Sequence, residues 1–210
     1  AEDGIRDSST SRGLGDVYKR QMFIQTEITP NPSTLKFIPE NKVLDKGTYE
    51  FRSKEEAKSS KLALDLFSNK AVTNVFFGLD FITITKSESY DWDVIKPDIL
   101  SKIMNFFSSG LPLIESDIPK SESNDSSIKY NADQKKIVQQ IQTLLDEKIK
   151  PAVAQDGGDI TFVRLEKNIV YLELRGACAG CPSSTLTLKS GIENMLKYYI
   201  PEIESVEAVN

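Results

Sequence analysis

The chain has 210 residues, 39% of them hydrophobic and 27% charged, with a net charge of −5, two cysteines and no histidine. That length suits one large domain or two small ones, and the acidic balance leaves no clustered Lys and Arg with which to bind nucleic acid. Without histidine, Ser-His-Asp and Cys-His catalysis are excluded; two cysteines are too few for a disulfide scaffold, and no apolar run of about 18 residues is present to span a membrane.

Residues 1–21, AEDGIRDSSTSRGLGDVYKRQ, lack the apolar centre of a signal peptide and balance their acids with bases, unlike a transit peptide. They read as a translated vector or library-adaptor scar without a fold, upstream of a start at Met22. From Met22 the text is strand-like: MFIQTEI, then TLKFI after the turn residues PNPS, then GTYEF opening on Gly47. A helix is predicted over 53–69, with Leu62 and Leu66 on its apolar stripe and Asn69 as its C-cap. AVTNVFF and FITIT form a predicted hairpin around Gly78, Leu79 and Asp80. A second helix carries Ile99, Ile103, Phe106 and Phe107 and stops at Gly110. Residues 22–111 thus mix sheet and helix.

Residues 112–130, rich in Ser, Pro, Asp and Glu and without a period, read as a flexible linker. Beyond it, a helix beginning at Asp133 places Ile137, Ile141, Leu144, Leu145 and Ile149 at helical spacing and is predicted to close at Pro151. The glycine turn QDGGD leads into a second hairpin, DITFVRL and IVYLEL around EKN. A last helix through Leu188, Ile192, Met195, Leu196 and Tyr199 runs to Pro201, and SVEAV adds a short strand. Residues 131–210 therefore read α-β-β-α-β, about 80 residues, near the lower size for a lone core. The fold class is α+β: two small domains joined by the linker.

Cys178 and Cys181 lie in GACAGCPSS, where the hairpin gives way to this last helix. Pro182 suits its first position, making Cys181 the expected N-cap, and a helix start favours thiolate through its dipole and free amides. Gly176 and Gly180 flank the pair and allow close backbone approach. A C-x-x-C pair can exchange disulfides, hold half of a zinc site or hold half of an iron-sulfur cluster. A four-ligand centre needs more sulfur than one chain owns, and two chains related by a two-fold axis supply four thiolates. A thioredoxin-like pair belongs to a βαβ unit with parallel strands, whereas these cysteines follow an antiparallel hairpin.

The stretch KPAVAQDGGDITFV, followed by LRGACAGCPSSTLTLKSGIENMLKYYIPEIESVEAV, resembles the C-terminal domain of NifU-like proteins, the Nfu type of iron-sulfur cluster carrier. MFIQTEITPNPSTLKFIPE and AVTNVFFGLDFITITK resemble the N-terminal domain of the same family. This resemblance implies a non-enzymatic scaffold or carrier that takes a cluster from upstream assembly machinery. It would hold a 4Fe-4S cluster, or a 2Fe-2S one, on Cys178 and Cys181 of two subunits in a homodimer and deliver it to apo iron-sulfur proteins. The expected compartment is the bacterial cytoplasm, or the mitochondrial matrix for a eukaryotic source. The competing readings are a thiol-disulfide oxidoreductase on the same pair and a structural zinc clamp.

Other features have plainer explanations. QDGGD is expected to be a turn and not a metal or phosphate loop. Ser183 and Ser184 finish the helix start, and Phe76, Phe77 and Phe81 are expected in or beside a core more than on a docking surface.

Overall fold

A computed structural model of the chain describes residues 23–114, 130–179 and 182–209, with backbone alone at 182–184. The predicted scar, most of the predicted linker, Gly180 and Cys181 lie outside the described residues.

Alternating apolar residues in the first half build five strands: β1 (Ile24–Ile28), β2 (Thr34–Pro39), β3 (Tyr49–Phe51), β4 (Val72–Phe77) and β5 (Ile82–Lys86). They form one antiparallel sheet in the order β1-β2-β5-β4-β3. The turn into β2 is set by Asn31, whose Oδ1 accepts the Ser33 N–H at 3.0 Å. Between β4 and β5 the Gly78 N–H donates to Phe81 O at 2.9 Å, closing the predicted hairpin.

Two helices, α1 (Lys61–Leu66) and α2 (Trp92–Ser109), cover one face. Leu62, Leu66, Ile95, Ile99 and Ile103 pack there on Phe37, Val75, Phe77, Ile82 and Ile84. Each such buried side chain contributes about 1.5–3 kcal/mol. Helix α2 ends at Gly110, in the left-handed region with φ 65°, as predicted.

The predicted helix over 53–69 shrinks to α1 behind a 3-10 turn at Glu56–Ser59. Ser60 is extended, and its hydroxyl accepts the Ala63 N–H at 3.3 Å, so a cap sits where helix interior was expected. Asn69 is not the C-cap, which falls on Phe67. Its side chain instead accepts the Ala71 N–H and donates to Asp98.

In the second half, α3 (Ala132–Leu144) opens on a capping box between Asn131 and Gln134. It does not close at Pro151. A single π-turn, Leu145–Ile149, carries the chain into α4 (Lys150–Gln155). There the Lys150 N–H reaches back to Leu145 O; the widened turn accommodates a proline that would otherwise crowd the preceding turn.

Strands β6 (Gly158–Glu166) and β7 (Ile169–Gly176) pair antiparallel around Lys167 and Asn168, both with positive φ. Helix α5 (Pro182–Tyr199) leads to β8 (Ser205–Val209), which pairs parallel to β7. Ile141, Leu145, Val153, Ile160, Leu172, Ile192 and Leu196 fill this second core. The chain is α+β in two domains, and among the described residues no helix is long and apolar enough to cross a membrane.

Strands β7, α5 and β8 make a βαβ unit with parallel strands. The cysteine segment follows an antiparallel hairpin, as predicted, but it also opens this unit. Topology is therefore no ground for separating it from a redox dithiol.

Candidate metal centre

At the end of β7, Gly176 takes a left-handed φ of 63° and turns the chain back over the start of β6. The Ala177 N–H donates to Gly157 O at 3.1 Å and the Ala179 N–H to Gly176 O at 3.2 Å, which fixes the bend that carries Cys178. A Cβ on Gly176 would stand 2.7 Å from Gly157 O. The glycine is thus used for packing within the fold.

Gly158, opposite Gly176 in the hairpin register, is the floor beneath the cysteine: a Cβ there would lie 2.5 Å from Cys178 Sγ and 2.8 Å from Arg175 O. From the first turn of α5, Thr185 Oγ1 donates to Cys178 O at 3.2 Å.

Cys178 is 7% exposed and belongs to the second core. Burial first, then the carboxylates of Asp156 and Asp159, push its thiol up to about 12. The thiolate expected at the helix start concerns Cys181 as N-cap; at Cys178, burial works the other way. Cys178 sits ahead of Pro182, where the influence of a helix end, confined to about one turn, gives way to desolvation. Pro182 does open α5 as predicted; Cys181, its expected N-cap and the second predicted ligand, lies outside the described residues. Among the described residues, no group of three or more Cys, Asp or Glu is placed to hold a metal ion.

QDGGD does more than turn the chain. Gly157 supplies the turn, with φ 82°, while Gly158 and the two aspartates surround the thiol. The paired glycines identified the bend; nothing local to them indicated a cysteine twenty residues on.

The first domain reaches the same place through the second face of its sheet. Glu50 Oε1 accepts the Gly176 N–H at 3.0 Å, and Thr83 Oγ1 donates to Gly157 O at 2.7 Å. Lys36 Nζ donates to Gln155 O at 3.0 Å, Asn31 Nδ2 to Ala179 O at 3.4 Å and Thr48 Oγ1 to Asp159 Oδ2 at 2.8 Å. Sequence reasoning missed all five, because their partners are more than 70 residues away. Phe77 lies in the first core as expected. Phe76 and Phe81, 5.9 Å apart, are buried outside both cores, and Phe76 lies beside Gly176.

Two family models match the chain: one described as the N-terminal domain of scaffold protein Nfu/NifU, over residues 24–110, and one as the NifU-like domain, over residues 141–207. The chain is similar to proteins named NFU1 iron-sulfur cluster scaffold homolog, mitochondrial. With that of Drosophila persimilis it is 49% identical over 197 residues, covering 93% of this chain and 68% of the relative. With that of Drosophila virilis the figures are 50% over 197 residues, 93% and 64%. With that of Homo sapiens they are 49% over 191 residues, 90% and 73%. The chain thus spans about two thirds of the length of these relatives.

Proposed function

Because this chain belongs to the Nfu family of iron-sulfur cluster scaffold proteins, we propose that it binds an iron-sulfur cluster through Cys178 and Cys181 and hands it on to apo iron-sulfur proteins. The cluster is cargo, a 4Fe-4S cube shared by two copies of the chain, with a 2Fe-2S form as the smaller alternative. It is received from upstream assembly machinery, and the protein acts as a carrier without catalysing a reaction. The relatives' names support a mitochondrial compartment and lend nothing to the bacterial cytoplasm.

The observation that carries this reading is the placement of Cys178. The bend at Gly176 and the floor at Gly158 hold its sulfur at the strand-to-helix junction, with no carboxylate set completing a metal shell among the described residues. One chain brings two sulfurs and a cube takes four, so a second copy completes the centre. Both cysteines would bind iron as thiolates. A centre built across two copies exposes its cargo to exchange with an acceptor's thiolates, which suits transfer.

The family match favours the carrier over the oxidoreductase alternative on the same pair. Anaerobic reconstitution with iron and sulfide tests the two together. The carrier gains a brown chromophore with about two irons per chain, loses it in Cys178→Ala and in Cys181→Ala, and activates an apo-dehydratase. Retention of the chromophore in both single variants would remove these cysteines as ligands; metal-free reduction of a disulfide substrate would favour the oxidoreductase.

A further inference from the structure

We infer that the second face of the N-terminal sheet is an intramolecular cap on the cysteine bend, which has to lift before a second copy can complete the cluster site. This inference rests on the shared-cluster reading of Cys178 given above.

The strand pattern marks Lys36, Glu50, Asn74, Phe76 and Thr83 as the face turned away from α1 and α2. In a free two-layer domain such a face meets water. Here Phe76 is 0%, Thr83 1% and Lys36 8% exposed. The cover is the rim of the cysteine bend: Thr83 holds Gly157 O on one side, Glu50 holds the Gly176 N–H on the other, and Asn31 holds Ala179 O next to Cys178. Two chains sharing one cube must bring their Cys178 bends within a cube's width of each other. The cap lies along the rim of that bend, at Gly157, Gly176 and Ala179.

The contact is built to separate. Around Phe76 and Phe81 it is rich in hydrogen bonds, as in interfaces that open and close. Glu50 Oε1 is steered toward Gly176 by Asn74 Nδ2 at 2.9 Å. Closure thus shields the cysteine bend in the empty protein, and opening exposes it together with a polar sheet face bearing Phe76 and Phe81.

The test uses the full chain, empty and under reconstitution. Thr83→Arg places bulk and charge against Gly157, and Thr48→Glu sets a second carboxylate against Asp159 from the loop before β3, where the sheet does not depend on the side chain. Both are expected to enlarge the radius of gyration in X-ray scattering and to speed hydrogen exchange over 172–179 by about tenfold or more, as a released local opening does. Both should also load cluster faster to the same iron per chain. The cap is overturned if neither variant changes exchange or dimensions, or if loading keeps its wild-type rate although exchange has risen. Failure of the carrier reading looks different: the chromophore survives in Cys178→Ala and Cys181→Ala, whatever the exchange rates show.

Discussion

The two sheets of this chain relate to their surroundings in opposite ways. The N-terminal sheet is covered twice, by Ile99 and Ile103 of α2 on one face and by the cysteine bend on the other, where its side chains do the bonding. The C-terminal sheet buries every second residue of β6 and β7 under α3, α4 and α5, and meets its neighbour chiefly with backbone: Gln155 O, Gly157 O, the Gly176 N–H and Ala179 O. One domain reads, and the other is read by the shape of its main chain. A surface read that way tolerates side-chain change but not a change in where its glycines let the backbone run.

The largest effects come from the two cores, and they test whether the domains are energetically separate. Ile103→Ala and Leu196→Ala each empty a fully buried site and are expected to cost about 2–5 kcal/mol. If the polar contact between domains is as weak as its composition indicates, calorimetry shows each variant lowering only its own domain's transition. A single transition lowered equally by both would merge the two domains into one cooperative unit.

Next comes Gly158→Ala. Its methyl meets a buried sulfur and a strand carbonyl, Arg175 O, and the carbonyl cannot swing aside. Overpacking of this kind costs about 1–3 kcal/mol, here in the C-terminal domain alone, and it pushes Cys178 from its place. Denaturant melts should show the loss, and reconstitution should show less iron retained per chain. Gly78→Ala is the comparison: the nearest atoms to its methyl belong to the ring of Phe81, so its effect should fall on the contact between domains and leave Cys178 in place.

What could be read in advance follows the range of the interactions. The hairpin at Lys167 and Asn168 and the stop at Gly110 are local, set by alternation and by a residue suited to positive φ, and both were legible. The passage of the helix through Pro151 was not, because it depends on a backbone bond from Lys150 to Leu145 that no propensity encodes. Parallel pairing of β8 with β7 was equally hidden, since a strand's text does not state its direction relative to a partner. Cys178 was visible as a candidate, but the burial and the carboxylates of Asp156 and Asp159 that raise its thiol were not. Lys36 and Thr83 carried the pattern of a solvent face, and nothing in that pattern shows that a second domain covers it.

A smaller effect separates the stability of a single helix start from that of the site. Asn131→Ala removes the capping box of α3 and is expected to cost about 1 kcal/mol. Gln134→Ala removes only the reciprocal half, the bond from the Asn131 N–H to Gln134 Oε1, and should cost less. Neither touches Gly157 or Gly176, so iron per chain should remain at the wild-type value in both.

The smallest effect distinguishes the outer edge of the C-terminal sheet from its cysteine end. Glu193 on α5 accepts from Lys197 Nζ at 2.6 Å and from the Val206 N–H of β8 at 3.0 Å. These bonds, that of Lys197 first, hold its carboxyl below the ordinary value of 4.5. A carboxyl whose folded value is lowered stabilises the fold fully above its unfolded value, and that contribution is lost as pH falls through the folded one. The pair is exposed, so water and salt discount it to roughly 0.3–0.5 kcal/mol, as for i,i+4 pairs in general. Stability should therefore be level from neutrality down to about pH 5. Below 4.5, the protection of the Val206 amide relative to its intrinsic exchange rate should fall, while that of Ala177, bonded to the Gly157 carbonyl, stays put. Glu193→Gln keeps an oxygen for the Val206 N–H but carries no charge to titrate, so protection at Val206 in that variant should no longer fall with acid; an unchanged acid response would assign the effect to another group.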